Sequence, residues 1–130
     1  MLKATFMICL LFVAVGTVRA APVTLVCKGT INLDGKPTEI DGETAILDLE
    51  RRSFKPPLYV HFPLIRVSKT DVTFGSELPA LSTWGSLDRV SGTLSMNVMK
   101  PNERQSLRSE GSARFLAYMS AKCSPAQRLF

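Results

Sequence analysis

Between Val90 and Val98 the chain alternates residue by residue. Val90, Gly92, Leu94, Met96 and Val98 are apolar or small, and Ser91, Thr93, Ser95 and Asn97 are polar. A period of two is the mark of a strand with one face on a core and the other in water, because successive side chains leave a strand on opposite sides. The same period recurs upstream. Leu25, Cys27, Gly29, Ile31 and Leu33 fall on one face, with Thr24, Lys28, Thr30 and Asn32 on the other. Ala45, Leu47 and Leu49 share a face, as do Val72 and Phe74, with Asp71 and Thr73 directed outward. The period is mostly two rather than the 3.6 of a helix, so antiparallel sheet is the expected material.

Turn residues divide these runs. Asp34-Gly35 and Asp41-Gly42 each read as a turn between strands. Arg51-Arg52-Ser53-Phe54-Lys55-Pro56-Pro57 reads as a break in regular structure, since a proline cannot donate to a central ladder. Leu58 to Phe62 is a short strand candidate, Pro63 interrupts it, and Ile65-Arg66-Val67 resumes. Lys100 to Gly111 is mostly polar and reads as a mobile hairpin connection. In the segment 112–123 a helix competes, because Ala, Leu and Met favour it. The strand register is preferred, since it puts Ala113, Phe115, Ala117, Met119, Ala121 and Cys123 on one face and sends Arg114, Tyr118, Ser120 and Lys122 away from it. The expected fold is all-β: one small antiparallel sheet of about seven or eight strands, curled into a barrel or roll.

The N-terminus reads differently. Met1-Leu2-Lys3 precedes an apolar run from Ala4 to Val18, and Val18-Arg19-Ala20 then sets small residues at the positions a signal peptidase reads. The run is shorter than the roughly 20 residues of a membrane-spanning helix. Cleavage between Ala20 and Ala21 is therefore expected, leaving residues 21–130 as a single domain with no stable membrane insertion. Export leaves two cysteines, Cys27 near the new N-terminus and Cys123 near the C-terminus. In an oxidising compartment, periplasmic or extracellular, they are expected to form a disulfide between the first and last strands. A metal pair or a redox couple is disfavoured, because no further ligands cluster with them and no C-x-x-C is present.

Loss of Lys3 and Arg19 with the leader lowers the basic residues from 16 to 14 against 11 acidic ones, a net charge of +3. The basic residues are scattered rather than gathered in a stripe with interleaved aromatics, which argues against nucleic acid as a partner. Catalytic signatures are equally thin. The single histidine, His61, has no recognisable acid-base partner. No nucleophile elbow, phosphate-cradling glycine loop or H-E-x-x-H occurs. Asp48, Glu50, Asp71 and Glu77 supply carboxylates that a glycosidase would use in pairs, but they fall at outward or turn positions and read as a solvated face. No cofactor is expected.

Three features remain as binding candidates. The aromatic set Tyr59, Phe62, Phe74, Trp84, Phe115 and Tyr118 would line a barrel mouth or, more simply, fill a core. Trp84, Asp88 and Arg89 stand together ahead of the cleanest strand, where the last two would make an ion pair or turn hydrogen bonds. The basic turn Arg51 to Lys55 would meet an acidic partner or simply favour solubility.

The set C-K-G, I-L-D-L-E, V-S-K-T-D-V-T-F, G-S-L-D-R-V-S-G-T-L and the closing C-S-P-A-Q-R-L-F resembles a group of small exported proteins of Gram-negative bacteria. That resemblance implies export and a compact all-β domain, and it brings no activity with it. A fainter similarity is to the C-type periplasmic lysozyme inhibitors, disulfide-bearing barrels that present a Ser-Gly-rich loop, here matched only by Ser91-Gly92-Thr93. The resulting expectation is a non-enzymatic envelope protein that binds another envelope protein or a small apolar ligand. Inhibition of a cell-wall-degrading enzyme is the alternative.

Overall fold

The computed structural model describes residues 20–127 together with Gly16. Of the expected leader, residues 1–20, only Gly16 and Ala20 are among the described residues, and the others lie outside them. Eight antiparallel strands run in sequence order around a closed barrel. They are β1 (Val23–Leu33), β2 (Lys36–Asp48), β3 (Ser53–Lys55), β4 (Phe62–Val67), β5 (Asp71–Glu77), β6 (Ser82–Asp88), β7 (Thr93–Met99) and β8 (Ala117–Pro125). One helix among the described residues, α1 (Pro101–Glu110), is inserted between β7 and β8. No helix among the described residues is long and apolar enough to cross a membrane.

Closure rests on β1, which pairs with β2 along one edge and with β8 along the other. In the second pairing Cys27 stands directly opposite Cys123, and the two are joined in a disulfide across the seam between first and last strands. Both cysteines are buried, as the two-residue register requires. The 112–123 segment thus resolves as strand from Ala117 onward, with Ala117, Met119, Ala121 and Cys123 inward.

Alternating side chains fill the interior. Phe54 and Phe74 have ring centroids 4.7 Å apart and Phe62 lies 6.1 Å from Phe74, so three rings form the centre, with Ile31, Ile40, Leu94, Met96 and Met119 around them. Gly85 is what makes this possible. A Cβ there would lie 2.2 Å from Cζ of Phe74, so only a residue without one leaves the ring its place.

Several local readings are corrected. Asp41-Gly42 does not separate two strands. β2 runs through it, and Gly42, at φ 74°, is the extra residue of a bulge between the Cys27–Glu43 and Lys28–Asp41 pairs. A bulge bends a long strand around a small barrel, and the left-handed conformation suits glycine. Arg51 to Pro57 is not irregular throughout, since Ser53–Lys55 forms β3 and Phe54 sits at the core. Leu58 to Phe62 is mostly a connection. Pro63 lies inside β4, where its missing N–H costs no ladder bond to β3, because the bond to that strand is made by the Leu64 N–H to the Arg52 carbonyl, and the β4–β5 pairing starts only at Leu64. Lys100 to Gly111 is a helix rather than a loop. Pro101 opens it and Gly111 closes it in the left-handed conformation, donating its N–H to the Leu107 carbonyl.

Candidate functional site

At one end of the barrel the strand termini leave an open mouth. A cavity of about 400 Å³ is lined there by Val23, Leu25, Leu47, Leu87, Val90 and Cys123, with Asp88 and Arg89 at its rim. Leu25, Leu47, Leu87 and Cys123 lie near the ends of their strands and are buried, whereas Val23 and Val90 stand in solvent, Val90 at 80% exposure. The disulfide lies in the wall of this cavity. The lining is aliphatic, with a charged residue of each sign beside it.

The turn that carries Asp88 and Arg89 is tied down at several points. Asp88 accepts the backbone N–H groups of Val90 and Ser91 on Oδ1, at 2.8 and 2.9 Å. Those two donors hold its carboxyl below the usual carboxylate range, Ser91 contributing most. Arg89 donates its backbone N–H to the Thr70 carbonyl and its guanidinium to the Ser68 carbonyl, at 2.7 and 2.6 Å. Of the two arrangements expected for Asp88 and Arg89, turn hydrogen bonds are the one found. Across the β5–β6 ladder Asp88 faces Asp71. The Ser68 hydroxyl, and then Arg66 at 2.8 Å, hold the Asp71 carboxyl below its ordinary range. Two carboxylates on neighbouring strands are thereby kept ionised by separate sets of donors.

Gly92 completes the turn. It adopts φ 78°, donates to the Asp88 carbonyl and accepts the Cys123 N–H. A Cβ on it would lie 2.1 Å from the Cys123 carbonyl oxygen. Val90 and Gly92 are therefore not inward residues of the strand that follows. Ser91-Gly92 belongs to the exposed β6–β7 connection and β7 starts only at Thr93, a correction that a two-residue pattern alone does not reveal. The connection breaks the register because Asp88 captures the Val90 and Ser91 amides for a turn.

Trp84 is separated from this mouth. It lies within β6, a strand the sequence reading did not assign, and faces the outer wall. The alternation of Thr83, Gly85 and Leu87 against Ser82, Trp84, Ser86 and Asp88 was the available signal. Helix α1 covers this part of the wall. Arg104 sets its guanidinium carbon 5.0 Å from the Trp84 ring centroid, bonds Glu77 at 2.9 Å and donates to Ser82 at 3.0 Å. A smaller cavity of about 150 Å³ remains between α1 and the wall, bounded by Trp84, Asn97, Met99, Arg104, Leu107 and Arg108.

The aromatic set divides. Phe62 and Phe74 are core, half-buried Tyr59 packs against the core with its hydroxyl pushed to higher pKa by burial, and Trp84, Phe115 and Tyr118 lie on the outside. None of the six lines the mouth. His61 is exposed on the β3–β4 connection. Asp48 departs from the solvated-face reading, being buried where it accepts the Arg51 N–H at 3.0 Å. Asp71 and Glu77 stand at opposite ends of β5. No group of three or more His, Cys, Asp or Glu among the described residues has the arrangement of a metal site.

Comparison of the chain with models of known families, with curated proteins and with solved structures found no match.

Proposed function

We propose that this chain is an exported, non-enzymatic binding module of the cell envelope that takes a small apolar ligand at the open end of its barrel. The observation that carries the reading is the aliphatic mouth of about 400 Å³ with Asp88 and Arg89 at its rim. Apolar concavities with a few fixed polar groups are where small ligands bind. Export is supported by the leader pattern in residues 1–20 and by the disulfide, a bond that persists in oxidising compartments.

Protein purified from the bacterial periplasm should carry an apolar ligand in native mass spectrometry, or bind dodecanoate saturably in calorimetry. Val90→Asp and Val23→Asp alter exposed mouth residues and should leave folding intact while weakening dodecanoate binding at least about tenfold, by the area each removes from apolar contact. Absence of both bound ligand and saturable heat would count against the proposal, as would undiminished binding in the two variants.

A second reading is inhibition of a cell-wall-degrading enzyme. It is favoured by the position of Ser91-Gly92 in an exposed turn that Asp88 and the Cys123 backbone hold in one shape. Stoichiometric inhibition of a lysozyme, abolished by Ser91→Arg, would support it, and undisturbed turnover in the presence of excess protein would dismiss it.

A further inference from the structure

On the outer wall, far from the mouth in register, four polar and aromatic side chains form one continuous row across adjacent strands. Asn32 of β1 pairs with Tyr118 of β8, Tyr118 with Asn97 of β7, and Asn97 with Trp84 of β6. Amide and aromatic ring alternate along it. With neighbouring strands about 4.8 Å apart, the row spans roughly 14 Å. It connects two cavities. One, of about 420 Å³, is lined by Asn32, Gly35, Phe115 and Tyr118, and the other is the 150 Å³ space beside Trp84 and Asn97 under α1.

We propose that this row binds a short acidic oligosaccharide. A saccharide presents hydroxyls around its edge and C–H groups on its faces, so it needs hydrogen-bonding amides interleaved with flat apolar surfaces. The row supplies both in that order. Tyr118 and Phe115 are 45% and 43% exposed with ring centroids 6.0 Å apart, a platform that the fold leaves uncovered. The platform is fixed in place, because the Asp34-Gly35 turn donates an N–H to the Leu116 carbonyl at 3.0 Å. Asn97 adds an independent indication. Its Oδ1 is buried without a hydrogen-bond partner, a condition that costs stability unless a donor arrives. Turning the amide toward the adjoining cavity would let it meet a ligand hydroxyl.

Charge points to the acidic class. Arg104 and Arg108, one turn apart on α1, both line the Trp84 cavity. Arg104 is engaged by Glu77, whereas Arg108 makes no ion pair among the described residues. A ligand carboxylate beside Arg108 would complete that end of the row.

Calorimetry and amide chemical shifts on the oxidised protein test this with trigalacturonic acid and the neutral trisaccharide N,N′,N″-triacetylchitotriose. Both should bind saturably, the acid more tightly, with shifts concentrated at 32, 84, 97 and 118 and absent from the mouth residues 23, 47 and 90. Tyr118→Leu should weaken both sugars about five- to tenfold. Arg108→Gln should weaken only the acid, roughly two- to fivefold at low salt. No saturable binding of either sugar overturns the proposal. Equal affinities unchanged by Arg108→Gln overturn its acidic character, and shifts at the mouth instead of the row overturn the location. Tyr118 is exposed and the mouth is elsewhere, so failure here leaves the dodecanoate result unaffected.

Discussion

Reduction of the Cys27–Cys123 disulfide is the perturbation whose size follows most directly from the fold. The cysteines are 96 positions apart, so the bond ties nearly the entire barrel-forming chain into one loop. In the folded barrel it adds little that the β1–β8 ladder does not already hold, since that ladder pairs nine residues from Leu25–Pro125 to Leu33–Ala117. Its effect falls on the unfolded chain, whose ends it keeps together. Loop-closure reasoning gives about 4 to 5 kcal/mol for a loop this long. A domain of this size has a total stability of roughly 5 to 15 kcal/mol, so the reduced protein should be marginal. The expected drop in Tm is roughly 15 °C or more.

Urea unfolding of the oxidised protein and of the Cys27→Ser, Cys123→Ser double variant measures this. The mechanism also predicts the slope. Without the bond the unfolded state is more expanded and exposes more surface, so m should rise as the midpoint falls. Equal stability of the two proteins would refute the loop-closure reasoning. A large loss of stability with unchanged m would move the effect into the native state, to strain or to lost packing of two buried sulfurs.

Other outcomes follow from single contacts. Gly85→Val should cost about 1 to 3 kcal/mol in urea midpoint analysis, because the new side chain enters the space of the Phe74 ring. Phe74→Ala should cost about 3 to 5 kcal/mol by the same measurement, since it empties the centre of the three-ring cluster. Asp71 and Asp88 have folded-state pKa values depressed below their unfolded ones, so their stabilisation is complete above the unfolded carboxylate range and is lost as pH falls through the folded values. Stability should be level from neutral pH to about pH 5 and decline below about pH 4, with amide exchange rising first at Val90 and Ser91. Asp88→Asn, which keeps an acceptor for those amides, should flatten part of that decline. Mass analysis after alkylation without reduction should find Cys27 and Cys123 unlabelled.

Much of the barrel was legible in the period of two. Leu25, Cys27 and Ile31, Ala45 and Leu47, Val72 and Phe74, and Leu94, Met96 and Val98 all point inward as the alternation requires. Burial on one face and solvent on the other is a local demand, and it leaves a local trace. The failures are equally local. At Gly42 a bulge carries a strand through a dipeptide that elsewhere makes a turn. Past Asp88 a capping carboxylate takes the Val90 and Ser91 amides out of the ladder. At Pro101 a polar stretch becomes a helix because a proline and a glycine stand at its ends and a tryptophan stands beneath Arg104.

The sites divide along the same line. Asp88 and Arg89 were visible as a charged pair beside a strand, but not that they would stand at the rim of an aliphatic mouth built from Leu25, Leu47 and Leu87 of three different strands. Trp84 was visible as a lone tryptophan, but not as a member of a row with Asn97, Tyr118 and Asn32. The sequence by itself determined the material, which is strand, the inward face of most strands, and the disulfide that links the first to the last. Beyond that one link, the tertiary structure alone decided which strands meet and in what register, because pairing depends on the closure of the whole sheet and no short stretch of sequence encodes its partner.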